Sequence, residues 1–174
     1  MPSAETHRPV LSAVVVCEDV IEGQRPGLKS LHNIAMRYEV PELPFALPSL
    51  AVYARLTDAR GRFVIKMECR SLSDLSLLWE SKESELVATD TRQIVERTWK
   101  IRPLCLSQPG AYEVNILADG ESVGRTEFYI GVGTPLPSLR PTLNSLVVCD
   151  AIGTEKMTGF KILYYPTTDY LAPQ

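Results

Sequence analysis

The chain has 174 residues, enough for one domain with a full core but short for two. Its formal charge of -3 is spread through every segment, which excludes the broad basic face that neutralises phosphates, so no nucleic acid is expected as a partner. The 13 prolines point to a strand-and-loop protein, because proline collects in turns and edges rather than in helix interiors or central ladders.

Residues 1–9, with Pro2 and Pro9 and no apolar periodicity, read as a flexible arm. Val10 to Glu18 follows as a strand in which Val14, Val15, Val16 and Cys17 are apolar on both faces, so burial on both sides is expected. Its apolar run is broken by Ser12 and falls far short of the roughly 20 residues of a membrane span. It also lacks the basic, apolar and small-residue order of a signal peptide, and the chain is therefore expected in the cytoplasm, with no membrane partner. After a turn at Glu22 to Gly27, Ile34, Met36, Tyr38 and Val40 alternate with Asn33, Arg37 and Glu39, predicting one half-buried strand paired to the first.

Pro41, Pro44 and Pro48 mark a connection that cannot be a central strand. Leu50, Val52, Ala54 and Leu56 then alternate with Ala51, Tyr53 and Arg55 up to a tight turn at Asp58-Ala59-Arg60-Gly61, where Gly61 is available for positive φ. The returning strand has the clearest period of two, with Phe63, Ile65, Met67 and Cys69 on one side and Val64, Lys66, Glu68 and Arg70 on the other. Between Leu72 and Trp79, Leu72, Leu75, Leu78 and Trp79 share a helical face, so a short helix competes there with weakly alternating extended chain. Gln93 to Leu106 returns to strand with Val95, Trp99 and Ile101 on one face; Trp79 and Trp99 read as core rather than as carbohydrate platforms.

Gln108 to Ile130 carries the strongest local signal. Tyr112, Val114 and Ile116 line one arm of a hairpin, Asp119-Gly120 forms its turn, and Phe128 and Ile130 line the other arm. The Pro109-Gly110-Ala111-Tyr112 opening has the form of the corner in immunoglobulin-like sandwiches, where a tyrosine hydroxyl bonds back to the preceding loop. Six or seven strands without a long amphipathic helix predict an all-β, antiparallel two-sheet sandwich, immunoglobulin-like, over residues 10–133.

The two ends of the chain repeat one another. Residues 13–20 (AVVVCEDV) match 145–152 (SLVVCDAI), and the match runs on without a gap through Gly27 and Gly159, Leu28 and Phe160, Lys29 and Lys161, and Leu31 and Leu163. Residues 134–144, rich in proline, read as a linker, and 145–174 as an extra C-terminal β-hairpin and tail repeating the pattern of 13–31. Because an isolated hairpin is marginal in water, this one must dock, either on its own sandwich or on an equivalent edge of another subunit. Its candidate interaction residues are Leu146, Val148, Phe160, Ile162, Tyr164, Tyr165 and Tyr170.

Cys17, Cys69, Cys105 and Cys149 stand singly, without the paired spacing of a zinc site, and read as four small buried hydrophobes; no metal or other cofactor is expected. With no glycine-rich phosphate loop and no nucleophile beside an identifiable base, the chain reads as a non-enzymatic binding or assembly module whose partner is protein, a second copy of itself included. The alternative is a small cytosolic hydrolase or thiol-dependent enzyme using Cys17 or Cys149, with His32 as base and Glu18 or Asp150 nearby.

Val16-Cys17-Glu18-Asp19, the stretch LAVYARLTDARG from Leu50 to Gly61, and PGAYEVNILADGESVGRTEFYI from Pro109 to Ile130 together resemble a family of uncharacterised bacterial proteins with a small β-sandwich domain. The resemblance covers roughly residues 10–131. It implies the fold and a bacterial, non-secreted setting, and carries no activity to any residue.

Overall fold

The computed structural model describes residues 6–133. The linker, the C-terminal hairpin, its seven candidate interaction residues and Cys149 lie outside the described residues. Twelve strands and no helix make up the described chain: β1 (Val10–Glu22), β2 (Lys29–Ile34), β3 (Arg37–Val40), β4 (Phe45–Leu47), β5 (Leu50–Thr57), β6 (Gly61–Ser71), β7 (Leu77–Glu80), β8 (Ser84–Ala88), β9 (Val95–Ile101), β10 (Leu104–Leu106), β11 (Gly110–Ala118) and β12 (Glu121–Val132). A four-stranded sheet runs β2-β1-β5-β9, and a six-stranded sheet runs β3-β12-β11-β6-β7 with β8 also on β6; β10 and β4 form a small third sheet.

The alternation read in the sequence places the core. Phe63, Ile65, Met67 and Cys69 of β6, Val114 and Ile116 of β11, and Phe128 and Ile130 of β12 face Val16 of β1, Leu50, Val52, Ala54 and Leu56 of β5, and Ile101 of β9, forming one apolar interior shared by the two large sheets. Trp79 and Trp99, half buried, pack against this interior as expected. The β11–β12 hairpin turns at Asp119 (φ 51°) and Gly120 (φ 78°), both left-handed, the geometry that a two-residue hairpin with the natural strand twist requires. The Asp119 carboxylate also accepts the Val64 amide at 2.7 Å, tying the turn to β6.

Two buried tyrosines have opposite balances. The Tyr112 hydroxyl donates to the Gln108 carbonyl at 2.5 Å, the backward bond expected of this corner. The Tyr38 hydroxyl, equally buried, has no hydrogen-bond partner. Tyr112→Phe is therefore expected to cost about 1 kcal/mol, whereas Tyr38→Phe, which removes an unmet polar group, is expected to leave stability unchanged or raise it by up to about 1 kcal/mol. Urea unfolding of the two single variants checks the difference in sign.

Several expectations are corrected. The segment read as one strand from Ile34 to Val40 is two strands in two sheets: β2 pairs antiparallel with β1, and β3 pairs with β12. Asn33 sits in the left-handed region (φ 52°), which asparagine tolerates better than most residues, one residue before β2 ends at Ile34. The fold is not wholly antiparallel, because β3 and β12 run parallel. The turn at Asp58–Gly61 is tight, with Gly61 at φ 125°, yet β5 and β6 do not pair across it; it hands the chain from one sheet to the other. No helix spans Leu72–Trp79: a turn with Leu75 at φ 60° leads straight into β7, whose backbone pairs with β6. Cys17 and Cys69 are buried as expected, but Cys105 lies on the exposed side of β10. Within the segment read as a flexible arm, His7 pairs with Arg60 through two backbone hydrogen bonds of 2.9 and 2.8 Å, and Pro9 is buried.

Candidate functional site: an open flank and the strand behind it

Among the described residues, the long side of the fold at β2 and β3 is open. Each of these strands pairs on one side only, β2 with β1 and β3 with β12, leaving two successive edges that belong to different sheets. Free edges present unpaired backbone donors and acceptors to any extended segment that approaches. At the crossing between the two edges lie Ile34 (59% exposed) and Met36 (63% exposed). The Met36 carbonyl accepts the Tyr129 amide at 2.8 Å, which brings the Tyr129 ring (41% exposed) beside them, with the Arg37 guanidinium 4.9 Å above that ring. The flank therefore carries an exposed apolar patch with a cation–aromatic pair at a doubled strand edge.

The opposite side differs. There β9 and β8 end the two sheets, and Arg97 of β9 crosses between them to donate to the Glu85 carbonyl of β8 at 3.1 Å. Because Arg97 occupies that approach, an added strand meets a bridged edge at β8–β9 and an unbridged one at β2–β3.

Behind β2 lies β1, where Val16 joins the main interior while Cys17, one residue on, turns to a second apolar cluster with Val20 and Ala51, flanked by Leu31 and Tyr53. The Cys17 thiol is wholly buried and directed at the carbonyls of Asp19 (3.4 Å) and Ala51 (3.7 Å). Burial, reinforced by the nearby Asp19 charge, pushes this thiol up to about 11. His32, considered as its base, is exposed on β2 and sits opposite Asp19 in the register, whereas Cys17 sits opposite Ile34. The cluster is closed at one end by ions: the Asp19 carboxylate meets Lys100 at 2.7 Å and Arg102 at 3.2 Å, and the Lys100 hydrogen bond, the largest influence, holds its pKa below the ordinary value. Ser49 donates to the Glu18 carbonyl at 2.8 Å. The Val-Cys-Glu-Asp stretch thus fastens β1 to β5 and β9 and holds its thiol as a neutral hydrophobe.

The sequence pointed to β1 and its copy but missed Ile34 and Met36, which the period-two reading turned inward. Ala35 between them and left-handed Asn33 before them are the local signals that the chain turns out of one sheet here.

Among the described residues no helix is long and apolar enough to cross a membrane. No curated protein matches the sequence. Part of the alkylpurine DNA glycosylase AlkC of Pseudomonas fluorescens, solved bound to DNA containing an abasic site analog, is similar to 71% of this chain at 16% identity and a TM-score of 0.41. Part of a β-glucosidase from Listeria innocua is similar to 75% of it at 12% identity and a TM-score of 0.42. This chain spans 30% of the first protein and 17% of the second, and neither likeness bears on its role. The sequence match is more definite: residues 12–131, nearly the whole of the described strand framework, place this chain in DUF6941, a family of unknown function.

Proposed function

We propose that the chain is a non-enzymatic binding and assembly module of the cytoplasm, an immunoglobulin-like sandwich over residues 10–133 that takes a strand-forming protein segment along β2 and β3. The C-terminal hairpin of a second copy is one such segment. The carrying observation is the doubled free edge with Ile34, Met36 and Tyr129 exposed on it, set against an opposite side bridged by Arg97. The immunoglobulin-like reading is supported by the interior shared between two sheets and by the Tyr112 corner bond. The non-enzymatic reading is supported by a Cys17 thiol kept neutral and turned to carbonyls, away from exposed His32.

A labelled peptide of residues 145–163, titrated into the full chain by fluorescence anisotropy, tests the site. The double variant Ile34→Lys/Met36→Lys is expected to weaken binding at least about tenfold, as loss of a central apolar anchor does, while Val87→Lys on β8 leaves it unchanged. Equal binding to all three proteins, or no binding to any, overturns the proposal.

A further inference from the structure

We infer that a second copy of this chain pairs with the open edge of β3, antiparallel and about a two-fold axis at Tyr38, so that two six-stranded sheets join into one. This names the partner of the β3 half of the flank and rests on the flank being a binding site. β3 runs parallel to β12, and the Met36 and Val40 carbonyls accept the Tyr129 and Gly133 amides at 2.8 and 3.0 Å. Backbone groups alternate between the two sides of a strand, so Tyr38, midway between them, also turns its amide and carbonyl to β12. The amides and carbonyls of Arg37 and Glu39 therefore point to the open edge, where no strand among the described residues pairs with them. When two such edges meet antiparallel with Arg37 of each copy opposite Glu39 of the other, each Arg37–Glu39 pair exchanges both of its backbone hydrogen bonds.

The side chains select this register. Arg37 and Glu39 share the outer face of the six-stranded sheet, where the guanidinium lies 4.9 Å over the Tyr129 ring and donates to the Glu39 carboxylate at 2.5 Å. The Glu39 carboxylate in turn lies over Gly131, where a Cβ would collide with it. Pairing about Tyr38 puts each guanidinium across from the carboxylate of the other copy as well as beside its own. A slip of two residues sets Arg37 against Arg37 in one direction and Glu39 against Glu39 in the other, and like charges directly opposite are destabilising. A slip of one residue sets Arg37 against Tyr38, whose backbone groups are already given to β12. Charge on an edge strand ordinarily opposes pairing, but opposite signs two residues apart oppose every register except this one. The same register brings exposed Met36 of each copy opposite Val40 of the other. β2 offers no such self-complement, since it carries Lys29 and His32 and no carboxylate. The cysteines are not needed either: Cys17 and Cys69 are free and buried, and Cys105, which is disulfide-bonded, lies on β10 in the third sheet.

Analytical ultracentrifugation of the full chain tests the pairing. Wild type is expected to form a weak, concentration-dependent dimer, as a short strand pair implies, and to keep it when disulfides are reduced. Arg37→Glu alone and Glu39→Arg alone each set like charges opposite and are expected to raise the dimer Kd at least about tenfold. An equimolar mixture of the two variants restores opposite charges in both pairs and is expected to associate within about threefold of wild type. Because the mixture is read between copies, a changed contact between Arg37 and Glu39 within one copy cannot imitate it. Circular dichroism checks that each variant is folded, and Arg37→Asp with Glu39→Lys is a second such pair if one is not. Wild type that stays monomeric up to about 1 mM, single variants that dimerise as wild type does, a mixture of folded variants no tighter than its components, or a dimer lost on reduction each overturns the inference. Binding of the 145–163 peptide that still depends on Ile34 and Met36 then leaves the flank standing, and its absence overturns the flank as well.

Discussion

Phe128→Ala is expected to remove about 3 to 5 kcal/mol of folding stability, a large share of what a domain of this size possesses. The ring is almost wholly buried, stacked on Tyr112 with centroids 5.5 Å apart and meeting the edge of Tyr38 at 6.1 Å. These three rings come from β12, β11 and β3, so the loss falls on the joint that fastens β3 to the six-stranded sheet after the chain crosses from β2. Phe128→Leu, which keeps most of the apolar volume, is expected to cost less than half as much. Urea midpoints with unchanged denaturant slopes would check both values. Because β3 is half of the open flank, Phe128→Ala should also weaken binding of the 145–163 peptide before the rest of the fold is lost. A loss below about 1 kcal/mol would mean that the aromatic stack does not hold β3.

How far the sequence carried this description depends on whether a feature is local. The β11–β12 hairpin was legible because Asp119-Gly120 and the alternation around it are short-range signals, and the Tyr112 corner was legible because its bond closes within four residues. The buried face of β6 was legible for the same reason. Sheet membership was not: the tight turn at Asp58–Gly61 looks like a hairpin turn in either case, and whether β6 folds back on β5 or crosses to β11 is decided by partners more than forty residues away. The run from Ile34 to Val40 failed in an instructive way. Its apolar residues keep an unbroken period of two, yet the first pair is exposed and the second buried, because the sheet that defines inward changes between Met36 and Arg37. The candidate flank arises from that change, so its residues were visible as apolar but not as surface. Motif and repeat pointed instead to β1, whose cysteine is structural in its surroundings, and to a C-terminal segment beyond the described residues.

Raising the pH is expected to destabilise the protein between about pH 9 and pH 11, with Cys17 alone accounting for roughly 2 kcal/mol over that interval. Burial first, and the Asp19 charge second, move this thiol from an ordinary 9.0 up to about 11 in the folded chain. Below pH 9 the thiol is neutral in both folded and unfolded chains, and its contribution is fully present. Above it the unfolded chain releases the proton while the folded chain retains it, so unfolding gains a driving force that grows until the folded thiol itself titrates. Cys69, pushed up to about 12 by burial, extends the loss to higher pH. Cys17→Ala should flatten the first part of the decline, which separates it from any general effect of alkali on surface ion pairs. The same environment predicts that iodoacetamide at neutral pH leaves Cys17 and Cys69 unmodified in the native protein and reaches them only on unfolding, because the reactive species is the thiolate. Peptide mapping that found Cys17 alkylated in the folded state, together with a pH-independent urea midpoint across this range, would count against a sealed structural thiol and return Cys17 to consideration as a nucleophile.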